Sequence, residues 1–115
     1  MSDACVVLTT TATEEEAQAL SRALVQNRLA ACVQRLRVAS VYEWDGVMEE
    51  SGEMLLLIKT TVDRYEALEA WIGAHHAYQV PEILMVSAPR GSNAYLAWLA
   101  QQTRPGAGSA GPSAG

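Results

Sequence analysis

Leu36-Arg37-Val38-Ala39-Ser40-Val41-Tyr42-Glu43-Trp44-Asp45-Gly46-Val47 is the stretch that decides the fold. Its side chains change character with a period of two. Leu36, Val38, Ser40, Tyr42 and Trp44 share one strand face, and Arg35, Arg37, Ala39, Val41 and Glu43 share the other. Asp45-Gly46 then supplies a residue pair that tolerates the positive φ of a tight hairpin turn. The return strand passes Ser51-Gly52, read as a bulge, and continues through Met54-Leu55-Leu56-Leu57-Ile58 to Lys59-Thr60-Thr61. The arms of this hairpin, residues 31–61, are about fourteen residues long, against a usual strand length of ~5–6. Its outer half must therefore project past the sheet as a ribbon, which is marginal alone in water.

Upstream, residues 5–10 are apolar and β-branched and read as a first strand. Thr13-Glu14-Glu15-Glu16 has the capping-box spacing, and Ala17, Leu20 and Leu24 follow at helical intervals, so a first helix runs to about Arg28. Downstream, Asp63-Arg64-Tyr65-Glu66 repeats the capping box. It opens a second helix whose buried stripe is Leu68, Trp71, Ile72 and His75. Pro81 stops that helix, residues 83–86 form a fourth strand, and Ser92 or Asn93 caps a short helix carrying Tyr95, Trp98 and Leu99. The order β-α-β-β-α-β plus a helix predicts an α+β fold: a ferredoxin-like antiparallel sheet with an extra C-terminal helix. Residues 1–103 make this single domain. Residues 104–115, rich in Pro, Gly, Ala and Ser without periodicity, read as a disordered tail.

Composition narrows the function. Half the residues are apolar and the net charge is −5, so nucleic acid and anionic membrane are poor partners. No apolar run approaches the ~20 residues a bilayer requires, and the N-terminus has no signal-peptide pattern. Cys5 and Cys32 sit in apolar runs and read as reduced, buried cysteines of a cytoplasmic protein. There is no Gly-rich phosphate loop, HExxH or G-x-S-x-G, so an enzyme is not expected. Several strands are apolar on both faces, whereas the two main helices cover only one. The other face and the ribbon then need partner subunits.

Polar groups concentrate in His75-His76-Ala77-Tyr78-Gln79-Val80-Pro81-Glu82. Imidazoles suit copper, but adjacent histidines on a helix diverge by about 100° and cannot chelate one ion alone. Each also fits a plain structural role at a helix C-terminus. Lys59, the only lysine, together with Tyr78, Glu82, Tyr42 and Trp44 forms a second candidate site. Cation, carboxylate and aromatic faces, with the ribbon residues reaching over from a neighbour, would suit a small polar ligand. The same residues also fit a structural Lys59–Glu82 ion pair with aromatic interface anchors.

Leu29-Ala30-Ala31-Cys32-Val33, Tyr42-Glu43-Trp44-Asp45-Gly46, Lys59-Thr60-Thr61, residues 75–82 and Tyr95-Leu96-Ala97-Trp98-Leu99 together resemble the CutA divalent-cation-tolerance family. The resemblance implies a homotrimer assembled like the PII signalling proteins. It implies copper(II) or other divalent-cation binding through His75, His76 and a cysteine at the end of the first strand. That last position holds Thr9, and Ala77 replaces a proline of the family motif. A stable trimeric scaffold, linked only indirectly to metal tolerance, is the alternative expectation.

Overall fold

The computed structural model describes residues 3–106; residues 107–115, most of the expected tail, lie outside the described residues. The order of elements is β1 (Ala4–Thr11), α1 (Glu14–Gln26), β2 (Cys32–Trp44), β3 (Val47–Thr61), a 3₁₀ turn (Val62–Arg64), α2 (Tyr65–His75), β4 (Leu84–Ala88) and α3 (Asn93–Gln102). The strands form one antiparallel sheet in the order β2-β3-β1-β4, the split βαβ arrangement that the sequence predicts.

α1 starts where its cap places it. The Thr13 hydroxyl accepts the Glu16 amide at 3.1 Å, and the Glu16 carboxylate accepts the Ala12 amide at 3.2 Å, one residue outside the usual capping-box partner. The helix ends at Gln26, two residues before the expected stop. Arg28 takes a left-handed conformation, φ 59°. The Leu29 amide donates to Leu24 O and the Arg28 amide to Val25 O, which together make a Schellman motif with arginine where glycine is usual. The Arg28 guanidinium then donates to Gln101 O and Gln102 O, satisfying carbonyls at the C-terminus of α3.

Asp45 and Gly46 both adopt positive φ (53° and 79°), as the hairpin turn requires. Pairing between β2 and β3 runs unbroken from Trp44↔Val47 to Cys32↔Lys59. The expected bulge at Ser51-Gly52 is therefore absent; these residues face Ser40 and Ala39 in register. A glycine weakens a strand without displacing it when the pairing on both sides keeps one register. β1 pairs with β3 only over Met54–Thr61, so residues 38–44 and 47–53 pair solely with each other as a projecting ribbon. The radius of gyration, 15.0 Å, accordingly exceeds the ~13 Å of a compact domain of about 100 residues.

One face of the sheet makes the main core. Cys5, Val7, Met54, Leu56 and Ile58 pack against Ala17, Leu20 and Leu24 of α1 and Leu68 and Ile72 of α2. Four expectations about the second half are corrected here. Asp63 lies inside the 3₁₀ turn, and α2 has no side-chain cap. His75 is exposed instead of joining the buried stripe. The helix stops at His75, six residues before Pro81, because His76 is already extended (ψ 145°) and held by its own hydrogen bonds. β4 spans Leu84–Ala88 where the sequence predicts residues 83–86, because its pairing with β1 runs from Leu8↔Leu84 to Ala4↔Ala88; Ile83 just before it packs on the main core. Ser92 caps α3 by accepting the Tyr95 amide. Leu99 of α3 packs with Ala4 and Ala31 in a small second core. The rest of that sheet face keeps Leu84 and Val86 exposed, and Tyr95 and Trp98 of α3 are exposed as well.

Candidate functional site

The segment between α2 and β4 bends around the end of β1 and meets the base of the ribbon. His76 anchors it. The Tyr78 amide donates to His76 Nδ1 at 2.9 Å, so Nδ1 must be the unprotonated nitrogen, and Nε2–H donates to Thr10 O at 2.6 Å. Both ring nitrogens are thus engaged in shaping the backbone. His75 points another way: its ring stacks on Trp71 at 3.7 Å between centroids, and Nδ1–H donates to Trp71 O. The two imidazoles do not converge, as expected of neighbouring residues with divergent directions.

The anchored segment delivers Tyr78 to the ribbon. Its phenol donates to one carboxylate oxygen of Glu53 at 2.7 Å, and the Ser40 hydroxyl donates to the other at 2.7 Å. Burial raises the Tyr78 hydroxyl's pKa well above the ordinary phenol value. The hydrogen bond to Glu53 and the Glu53 charge push it the same way. The phenol is therefore a permanent donor near neutral pH. Around this triad lies a cavity of about 810 Å³ whose walls include Tyr42, Trp44, Glu49, Tyr78 and Glu82. Antiparallel register places Tyr42 opposite Glu49 and Trp44 opposite Val47, so aromatic and carboxylate groups share one ribbon face.

Four of the five residues proposed from the sequence for a small-ligand site, Tyr42, Trp44, Tyr78 and Glu82, line this one cavity. They do so within a single chain, where a neighbour's ribbon was expected to supply the first two. Lys59 lies elsewhere. It sits beside Val6 and Cys32 in the sheet, and its ammonium donates to Gln34 Oε1 at 2.5 Å, so the expected Lys59–Glu82 pair is not formed. Glu53, Glu49 and Ser40 were not singled out from the sequence. Counting back from the Asp45-Gly46 turn puts Glu49 across from Tyr42, so part of the acidic wall was discoverable from the hairpin alone. The Tyr78 contact to Glu53 had no local signal, because it depends on how residues 76–83 turn.

A resident metal does not fit the residues as placed. Among the described residues no group of three or more His, Cys, Asp or Glu side chains is placed to hold an ion. His76 has no free nitrogen, and Thr9 points into the main core with its hydroxyl buried and without a partner among the described residues. Burial also raises the Cys5 thiol's pKa, which disfavours the thiolate a metal needs. His75 Nε2, on the edge of a groove of about 420 Å³ shared with Glu16 and Thr11, is the imidazole nitrogen of the pair left open.

Comparison with known proteins gives a consistent set of relatives. The family model described as CutA1 divalent ion tolerance protein matches residues 5–102. The divalent-cation tolerance protein CutA of Thermus thermophilus is 42% identical over 99 residues, covering 85% of this chain and 96% of its own length. The solved structure of CutA from Synechococcus elongatus matches with a TM-score of 0.87 at 38% identity, over 90% of this chain and 93% of that one. A structure described as the periplasmic divalent cation tolerance protein CutA from Archaeoglobus fulgidus matches with a TM-score of 0.86 at 26% identity, over 88% of this chain and 99% of that one.

Proposed function

The chain belongs to the CutA1 divalent ion tolerance family, and from that premise we propose that it acts as a homotrimeric binding protein, not an enzyme. Its ligands are small molecules or weakly held divalent cations, copper among them, at or near the boundaries between subunits.

The observation that carries the assembly is the uncovered apolar surface. Leu84, Met85 and Val86 of the edge strand β4 and Leu36 of the edge strand β2 are exposed, and so are Val41, Val47 and Met48 on the ribbon. A long exposed edge and an apolar sheet face are both surfaces that stable monomers avoid. Packing further copies sheet to sheet and ribbon to ribbon covers both. The stoichiometry of three is what the family resemblance implies. Such packing would bring a second chain to the rim of the cavity, which the Tyr42 and Trp44 rings already reach. Two free cysteines suit a reducing compartment, so we place the protein in the cytoplasm. Among the described residues, no helix is long and apolar enough to cross a membrane.

For metal, the geometry supports weak binding only. One open imidazole nitrogen on His75 makes a stable site only if donors from another chain join it. His76 has a positioning role through Thr10 and Tyr78 and favours the alternative, in which the trimer is chiefly a scaffold. Copper titration of the native protein and of His75→Ala decides between them. Loss of the binding event in His75→Ala supports the metal reading, and unchanged affinity removes the histidine site and leaves the scaffold.

A further inference from the structure

Resting on the small-ligand reading above, we propose that the cavity between the ribbon and residues 77–82 is a receptor for an organic cation, a primary or quaternary ammonium group on a short carbon body. Glu49, Glu53 and Glu82 line the cavity, while no arginine, lysine or histidine among the described residues of the chain does. Glu53 is only 8% exposed and has no ion-pair partner among the described residues. The Ser40 and Tyr78 hydroxyls satisfy its hydrogen bonding but leave its charge uncompensated. A buried carboxylate is stabilised by a cation brought to it, and an anion is repelled.

The walls choose the kind of cation. Tyr42, Trp44 and Tyr78 line the same space, the first two half-exposed, and an aromatic ring face attracts an ammonium group. The volume, about 810 Å³, is that of a small-molecule pocket. A bare divalent ion would instead need several oxygens converging on one point. The carboxylates here are spread along the walls, with no metal-holding group of three among the described residues.

The test is an NMR titration of the full chain with choline and with dimethylbutanol, its uncharged carbon isostere. The Trp44 indole signal reports the cavity, and the Trp71 and Trp98 signals serve as controls outside it. Choline is expected to shift the Trp44 signal saturably, and dimethylbutanol to bind at least about tenfold more weakly. Glu82→Gln should weaken choline several-fold without changing the melting temperature, and Tyr42→Ala should weaken it by a similar factor. Equal binding of the two probes overturns the cation assignment while leaving a small-ligand cavity in place. Choline binding undiminished in both variants, or no response to either probe, overturns the assignment and the cavity reading together.

Discussion

Thr9 and Tyr78 show how much a single polar atom matters in this molecule. Thr9 is fully buried on the core face of β1, and its hydroxyl has no partner among the described residues. An unmade buried hydrogen bond costs about 1–3 kcal/mol, so the isosteric Thr9→Val should raise stability by an amount in that range. Denaturant unfolding checks it; a destabilised variant would mean that the hydroxyl has a partner after all. Tyr78 behaves in the opposite way, because both its amide and its phenol are used. Its pKa is raised in the fold above the ordinary value of 10.0, so the unfolded chain gives up this proton first. The Tyr78 contribution to stability should therefore hold below about pH 10 and be lost as pH rises from there through the elevated folded value. Tyr78→Phe removes part of the alkaline slope, though Cys5, Tyr65 and Tyr95 are shifted the same way. At neutral pH it costs about 1.5–3 kcal/mol, since Glu53 loses a donor. Melting curves across the alkaline range for both proteins measure the difference, and parallel curves would contradict it.

At the scale of elements, the parts legible in the sequence are those that depend on near neighbours. The Asp45-Gly46 turn, the Thr13 and Ser92 caps and the apolar stripe at Leu68 and Ile72 are local signals, and the structure contains each of them. The misread positions are those at which distant contacts decide. Helical spacing carries α1 to about Arg28, but Arg28 is left-handed, a conformation compatible with the bonds it makes to α3. The end of α2 was assigned to Pro81, but the bonds His76 makes to Thr10 and Tyr78 end the helix sooner. In the candidate site, the hairpin register exposes the Tyr42–Glu49 wall, whereas Glu53 as the partner of Tyr78 depends on the path of residues 76–83. A pair of variants tests the account of Arg28. Arg28→Gly relieves the left-handed strain, about 1–2 kcal/mol for an L residue, while losing the tie to α3. Arg28→Ala loses the tie and keeps the strain. Alanine should therefore be the less stable of the two by about 1 kcal/mol in denaturant unfolding, and the reverse order would rule the account out.

The whole molecule is a ferredoxin-like domain with one face of its sheet closed and the other incompletely covered. α1 and α2 seal the first face, and α3 shields the second only around Ala4, Ala31 and Leu99. The ribbon lengthens the chain to 46 Å along its long axis and carries exposed Val41, Val47 and Met48 far from the core. At about 25 cal/mol per Å² of apolar surface removed from water, burying such patches is a substantial driving force for association. Leu84→Glu combined with Val86→Glu places charge on the exposed face without touching the main core. It should leave the monomer folded by circular dichroism and weaken the assembly. The measurement that tests the central claim most directly is equilibrium sedimentation of the native chain at micromolar concentration. The account predicts a single species of three chain masses, and a stable, folded monomer would contradict it.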